Sequence, residues 1–182
     1  MRLDSALLPE SINVDGVFYP VRTDFKYWLR FHSLVKNGER HLLTDFDFLY
    51  GDEKPEDRQA GFDRLKEFFS PVNVLPRPAG TESTTKLYDF IIDSDLIYAA
   101  FFEQYGIDLL ETNLHWHKFL ALFNALHDTK FNEIVSYRTF KKDSRTKYED
   151  QMEKLRRMWE ITPGAEIDSE MTEDEKKYFE SF

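Results

Sequence analysis

Leu96-Ile97-Tyr98-Ala99-Ala100-Phe101-Phe102 and Leu114-His115-Trp116-His117-Lys118-Phe119-Leu120-Ala121-Leu122-Phe123-Asn124-Ala125-Leu126 are the stretches that decide the fold. Asp93, Ser94 or Asp95 can cap a helix through the first, running to about Tyr105 and stopped by Gly106. The second predicts a helix over about 113–126, in which Lys118 is the one charged residue beside two histidines. Both are apolar around the helix rather than along one stripe. Helices of that kind belong in the middle of a bundle.

Upstream, three segments carry narrower stripes and are expected to pack around that centre. Thr23 or Asp24 can cap a helix with Phe25, Trp28, Leu29, His32 and Val35 on one face, ended by Asn37-Gly38. Residues 39–50 place Leu42, Leu43, Phe46, Leu49 and Tyr50 together, before Gly51. Pro55, followed by Glu56 and Asp57, reads as the first position of a third helix whose stripe is Phe62, Leu65, Phe68 and Phe69. Before them all, Asp15-Gly16 joins two short β-type runs, a type I′ hairpin signal. Pro20 restricts the second strand to an edge, so the sequence predicts a hairpin over about 12–21.

Between the two halves, Pro71, Pro76, Pro78 and Gly80 mark a loop over about 70–86, either a functional arm or a linker. Leu87 to Ile92 reads as a strand or a lead-in turn. Downstream, Asp128 or Thr129 caps a helix with Phe131, Ile134, Val135 and Tyr137. A last helix over about 143–160 shows Tyr148, Met152, Leu155 and Trp159 at spacings of four, three and four. That stripe suits docking on the body or pairing with another subunit, so an oligomer stays open; its two heptads favour docking. The expected class is mainly α: a helical bundle of about six to seven helices with a small N-terminal β-hairpin. It forms a single domain over 1–160, and 161–182 is an acidic C-terminal tail.

Composition agrees with a packed body. Of 182 residues, 41% are hydrophobic and 16% aromatic, too many large apolar groups for a disordered chain. The net charge of −10 is uneven. From Glu160 onward there are eight acidic and two basic residues, so the tail carries most of it and the body is only mildly acidic. The overall negative charge makes nucleic acid an unfavoured partner, although the mild acidity of the body weakens that exclusion. Without cysteine there is no disulfide, thiol nucleophile or Cys-ligated metal. The N-terminus lacks a basic stretch followed by an apolar run, and no run approaches the roughly 20 apolar residues of a membrane span. The expectation is a cytoplasmic protein with no membrane contact.

The candidate chemistry is sparse. His115 and His117, two apart on a helix, point about 200° from each other and cannot chelate one ion, so they read as core or capping residues. His32 reads as a packing residue. Asp45-Phe46-Asp47 splays its carboxylates around a core aromatic, and Asp93-Ser94-Asp95 falls where a helix needs a cap. Lys141, Lys142, Arg145, Lys147, Lys154, Arg156 and Arg157 form a basic run, but Asp143, Glu149, Asp150 and Glu153 interleave with it, as on a solvated helix face. Phosphate-loop, dinucleotide, zinc-protease and serine-hydrolase motifs are all missing from the sequence. The reading is a non-enzyme, with no catalytic, cofactor-binding or metal residues assigned.

Four stretches in register resemble the bacteriophage "gp fifteen" family of tail gene modules in phages and prophages of Gram-positive bacteria. They are Ile12-Asn13-Val14-Asp15-Gly16 with Tyr19-Pro20 and Thr23-Asp24-Phe25 to Trp28-Leu29; Tyr88-Asp89-Phe90 with Asp93-Ser94-Asp95 and Ile97-Tyr98-Ala99-Ala100-Phe101; Gln104-Tyr105-Gly106-Ile107-Asp108-Leu109 leading into Leu114-His115-Trp116 and Ala121-Leu122-Phe123; and Lys130-Phe131 with Ile134 and Tyr137-Arg138. His117 departs from the pattern, where a second aromatic is expected, and the tail after Trp159 is unusually acidic. The resemblance implies a tail assembly chaperone in the host cytoplasm, binding the tape measure protein and other tail proteins. A minor structural tail component and a nucleic-acid-binding regulator are the alternatives.

Overall fold

The computed structural model describes residues 8–36, 42–70, 87–141 and 146–161. The loop expected at 70–86 beyond Ser70, the Asn37-Gly38 stop, Lys142, Arg145 and the tail beyond Ile161 lie outside the described residues.

The hairpin forms as its turn dictates. β1 (Ser11–Val14) pairs antiparallel with β2 (Val17–Pro20), Val14 opposite Val17. Asp15 (φ 51°) and Gly16 (φ 89°) both take the positive φ of a type I′ turn. The Gly16 N–H donates to Asn13 Oδ1 at 2.9 Å. Ile12 and Val14 are buried, so the hairpin lies with one face on the helical body. Past Pro20 the chain gains a second neighbour. Arg22 N–H donates to Leu49 O (2.8 Å) and Gly51 N–H to Pro20 O (3.1 Å), bridging Val21 with Tyr50.

Six α-helices and one 3-10 helix follow among the described residues. α1 (Phe25–Lys36) buries Phe25, Trp28 and Phe31. It is central rather than peripheral. Trp28 is fully buried and stacks on Phe68 (4.6 Å between ring centres) and Trp116 (6.3 Å). Its indole N–H donates to Arg22 O, and that of Trp116 to Phe69 O, each at 2.9 Å. These bonds are what allow two indoles to be buried without an orphaned donor.

The expected helix over 39–50 is instead a 3-10 helix, Leu43–Leu49, with Phe46, Leu49 and Tyr50 buried and Leu42 70% exposed. Extended pairing of Leu49–Gly51 with Pro20–Arg22 ends it before a longer helix can form. α2 (Arg58–Phe69) begins later than Pro55. Asp57 caps it, accepting from Ala60 N–H at 2.9 Å. Pro55 is a packing residue: with Tyr50 it fills the space beside Gly61, where an added Cβ would sit 2.6 Å from Pro55 Cγ and from Tyr50 Oη.

α3 (Ser94–Tyr105) ends at Gly106 (φ 65°) as expected. It is not enclosed all round, since Phe102 is 56% exposed while Ile97, Ala100 and Phe101 are buried. α4 (Trp116–Asn124) is shorter than 113–126. Phe25 N–H donates to Leu114 O (2.8 Å) and Trp116 N–H to Thr23 O (2.7 Å), holding 114–115 extended against the start of α1. Phe119 of α4 stacks between Phe25 (4.8 Å) and Phe101 (5.2 Å), so α1, α3 and α4 share one aromatic core. Each such pair adds about 0.5–1.5 kcal/mol beyond area burial.

Thr129 caps α5 (Lys130–Thr139) reciprocally with Asn132. α6 (Lys147–Met158), capped by Thr146, packs against α5 and is shorter than 143–160. Met152, Leu155 and Trp159 are partly buried, while Tyr148 at its other end is 67% exposed. The stripe therefore docks on the body, with one end overhanging.

Candidate functional site

Leu87–Ile92 is the lead-in turn, not a strand, and it carries a buried polar cluster. Asp89 is fully buried. Its Oδ1 accepts from Ile91 N–H (2.8 Å) and Ile92 N–H (3.1 Å), and its Oδ2 accepts from Lys36 Nζ at the end of α1. Asp93 sits at the cap position of α3, yet its carboxylate makes no capping bond. It accepts instead from Asp89 N–H (2.9 Å) and forms a two-pronged ion pair with Arg138 of α5, at 2.7 and 2.8 Å. Both side chains of that pair are almost wholly buried. Arg138 also donates to Leu87 O (3.1 Å) and, through Nε, to Trp159 O (2.6 Å).

One guanidinium thus joins the turn, the start of α3, α5 and the end of α6. The geometry fits a guanidinium's planar fork and would not be reproduced by lysine. Around this polar centre the turn presents apolar side chains outward: Leu87, Ile91 and Ile92 are exposed. Tyr88 is exposed too, but its ring leans edge-on against Phe90, Phe123 and Phe131. The turn is an apolar surface held in place by the buried ion pair beneath it.

The other charged and histidine features resolve as structure. His115 caps α4: its Nδ1 accepts from His117 N–H (3.1 Å), which leaves Nε2 as the donor to Pro9 O (3.0 Å). His117 is buried, stacked on Phe68 (4.8 Å) with Nε2 bonded to Phe68 O (2.8 Å), and its Nδ1 has no partner. Burial holds both imidazoles below the usual histidine range. His32 packs against Phe69 and Phe90. Asp45 accepts from Leu42 N–H, whereas Asp47 faces away to Lys54 and Arg58, so these carboxylates do not converge. Among the described residues no group of three or more acidic or histidine side chains is placed to hold a metal ion. In the basic run, Arg156 and Arg157 both bind Glu153, whose carboxyl is lowered to about 2, chiefly by the Arg156 bond.

A family model described as Bacteriophage Gp15 protein matches residues 5–161. The chain belongs to this phage protein family. No curated protein and no solved structure matches it. Within the Gp15 match fall Asp89, Asp93 and Arg138, each part of a stretch on which the sequence resemblance rests. The sequence reads Asp93 as a cap and assigns Lys36, Asp89 and Arg138 no site role. The available signal was an aromatic or aliphatic residue directly before each buried charge: Tyr88 before Asp89, Ile92 before Asp93 and Tyr137 before Arg138. No described helix of this Gp15 protein is long and apolar enough to cross a membrane.

Proposed function

We propose that this Gp15 protein is a non-enzymatic tail assembly chaperone that acts in the host cytoplasm and binds the tape measure protein. Membership of a phage protein family over all of the described residues carries the reading. A long helical tape measure exposes apolar stripes until tail-tube subunits enclose it, and amphipathic helices dock on apolar surface. The Leu87, Ile91 and Ile92 turn offers such a surface, and its ion-paired mounting lowers the ordering cost of binding.

Co-expression with the tape measure protein encoded nearby tests this. A soluble complex is expected, weakened by Ile91→Asp with Ile92→Asp while the melting temperature stays put. A tape measure protein that remains soluble and assembles normally without this partner refutes the proposal. Stoichiometric presence in purified virions, read by mass spectrometry, would favour a minor structural tail component instead. The regulator reading is disfavoured by the pairing of Arg156 and Arg157 within their own helix.

A further inference from the structure

The hairpin and the segment before α2 enclose a groove of about 540 Å³. Val14, Val17, Tyr19 and Pro55 give it an apolar floor. Its rim is acidic, with Asp15 on the hairpin turn and Glu53, Glu56 and Asp57 opposite. The cation in the lining, Lys54, is held by Asp47 at 3.0 Å. Arg64, a cation whose charge interacts with that of Asp15, is held by Glu67 at 2.8 Å. Asp15, Glu53 and Glu56 have no ion-pair partner among the described residues. The groove therefore pairs an apolar base with unneutralised negative charge.

Beside it runs an open strand edge. In a two-residue hairpin the residues flanking the turn, Val14 and Val17, exchange the main-chain bonds, so the N–H and C=O of Phe18 point away from β1. No described main-chain group pairs with them. The chain itself uses the same edge further along, where Tyr50 bridges Val21. The edge is thus competent for pairing, occupied at one end and vacant at the other. Phe18, 66% exposed, marks the vacant end.

We propose that the open Phe18 edge and the acidic groove dock an extended, cation-bearing peptide segment of a partner protein as an added strand beside β2. Main-chain bonds to Phe18 supply the register, and alternate side chains fall toward the groove, as in other strand-addition complexes. Lysine or arginine fits there because its methylene stem covers the floor of Val17, Tyr19 and Pro55 while its head meets Asp15, Glu53 and Glu56. A nucleic-acid backbone would be repelled by the same rim. This surface is separate from the apolar turn invoked for the tape measure, so either assignment can fail alone.

The test uses the ¹⁵N-labelled full chain titrated with a blocked hexapeptide alternating lysine and valine. Saturable amide shifts are expected over residues 14–19 and 53–57, with Phe18 among the largest. Affinity should fall at least tenfold for the Glu53→Lys, Glu56→Lys double variant, whose substitutions are exposed and leave the fold intact by thermal melt. It should fall similarly for the same peptide N-methylated on the face that pairs with β2. Shifts spread over the whole acidic surface, equal binding of the N-methylated peptide, or no shifts at millimolar peptide would each overturn the proposal.

Discussion

Replacing Arg138 with methionine removes one partner of the Asp93–Arg138 pair and fills much of its volume with apolar atoms. Asp93 would keep only the Asp89 N–H, and Leu87 O and Trp159 O would each lose a charged donor. Breaking a buried ion pair from one side typically costs about 3–5 kcal/mol, because the remaining charge stays buried. With a urea slope of about 1–3 kcal/mol/M, that lowers the unfolding midpoint by at least about 1 M. Urea melts of wild type and Arg138→Met at pH 7 test the magnitude. The Asp93→Leu, Arg138→Met double variant, which removes both charges, should be more stable than Arg138→Met alone. A single variant within about 1 kcal/mol of wild type, or a double variant worse than the single, would refute the assignment of this pair as the joint between the turn and α5.

Gly61→Ala should destabilise by about 1–3 kcal/mol despite alanine's better helix propensity, since the new methyl meets Pro55 and Tyr50 at 2.6 Å; thermal melts decide it. The wild-type protein should lose stability as pH falls below about 6.5, because His115 and His117 have folded-state pKa values lowered by burial and must take up protons on unfolding. His117→Phe should reduce that pH slope in denaturant titrations between pH 7.5 and 5.5, leaving the share of His115. Thr129→Ala should cost about 1 kcal/mol through loss of the α5 cap, seen as a lower urea midpoint with unchanged slope.

Where a structural choice rests on a few neighbouring residues, the amino-acid sequence was sufficient to make it. Asp15-Gly16 dictates the hairpin because two consecutive positive-φ positions close the turn, and Gly106 ends α3 for the same steric reason. Thr129 three residues before Asn132 specifies the start of α5. The helical class and the splaying of Asp45 and Asp47 also follow from local spacing, whereas the expected 200° divergence of His115 and His117 does not hold: residue 115 is extended ahead of α4, and the two rings lie 5.2 Å apart. The identity of the centre does not. Trp28 lies on a stripe that looks peripheral, and only its stacking on Phe68 and Trp116 makes α1 central. The 3-10 helix at 43–49 is likewise set from outside, by pairing with residues 20–22.

The joint at the candidate site is the clearest case of tertiary control. Lys36 and Asp89 are 53 residues apart, and Asp93 and Arg138 are 45 apart. Periodicity assigns a charged residue to the surface because an isolated buried charge is prohibitively costly. Here Asp89, Asp93 and Arg138 are buried because each meets a partner from a distant part of the chain, Lys36 reaching Asp89 from an exposed position, and a pairing at that separation leaves no periodic trace along the chain. What the local sequence determined was the elements and their ends, through backbone sterics and capping. What only the tertiary structure decided was which charges meet, because desolvation and Coulomb attraction balance only once distant groups have been brought into contact.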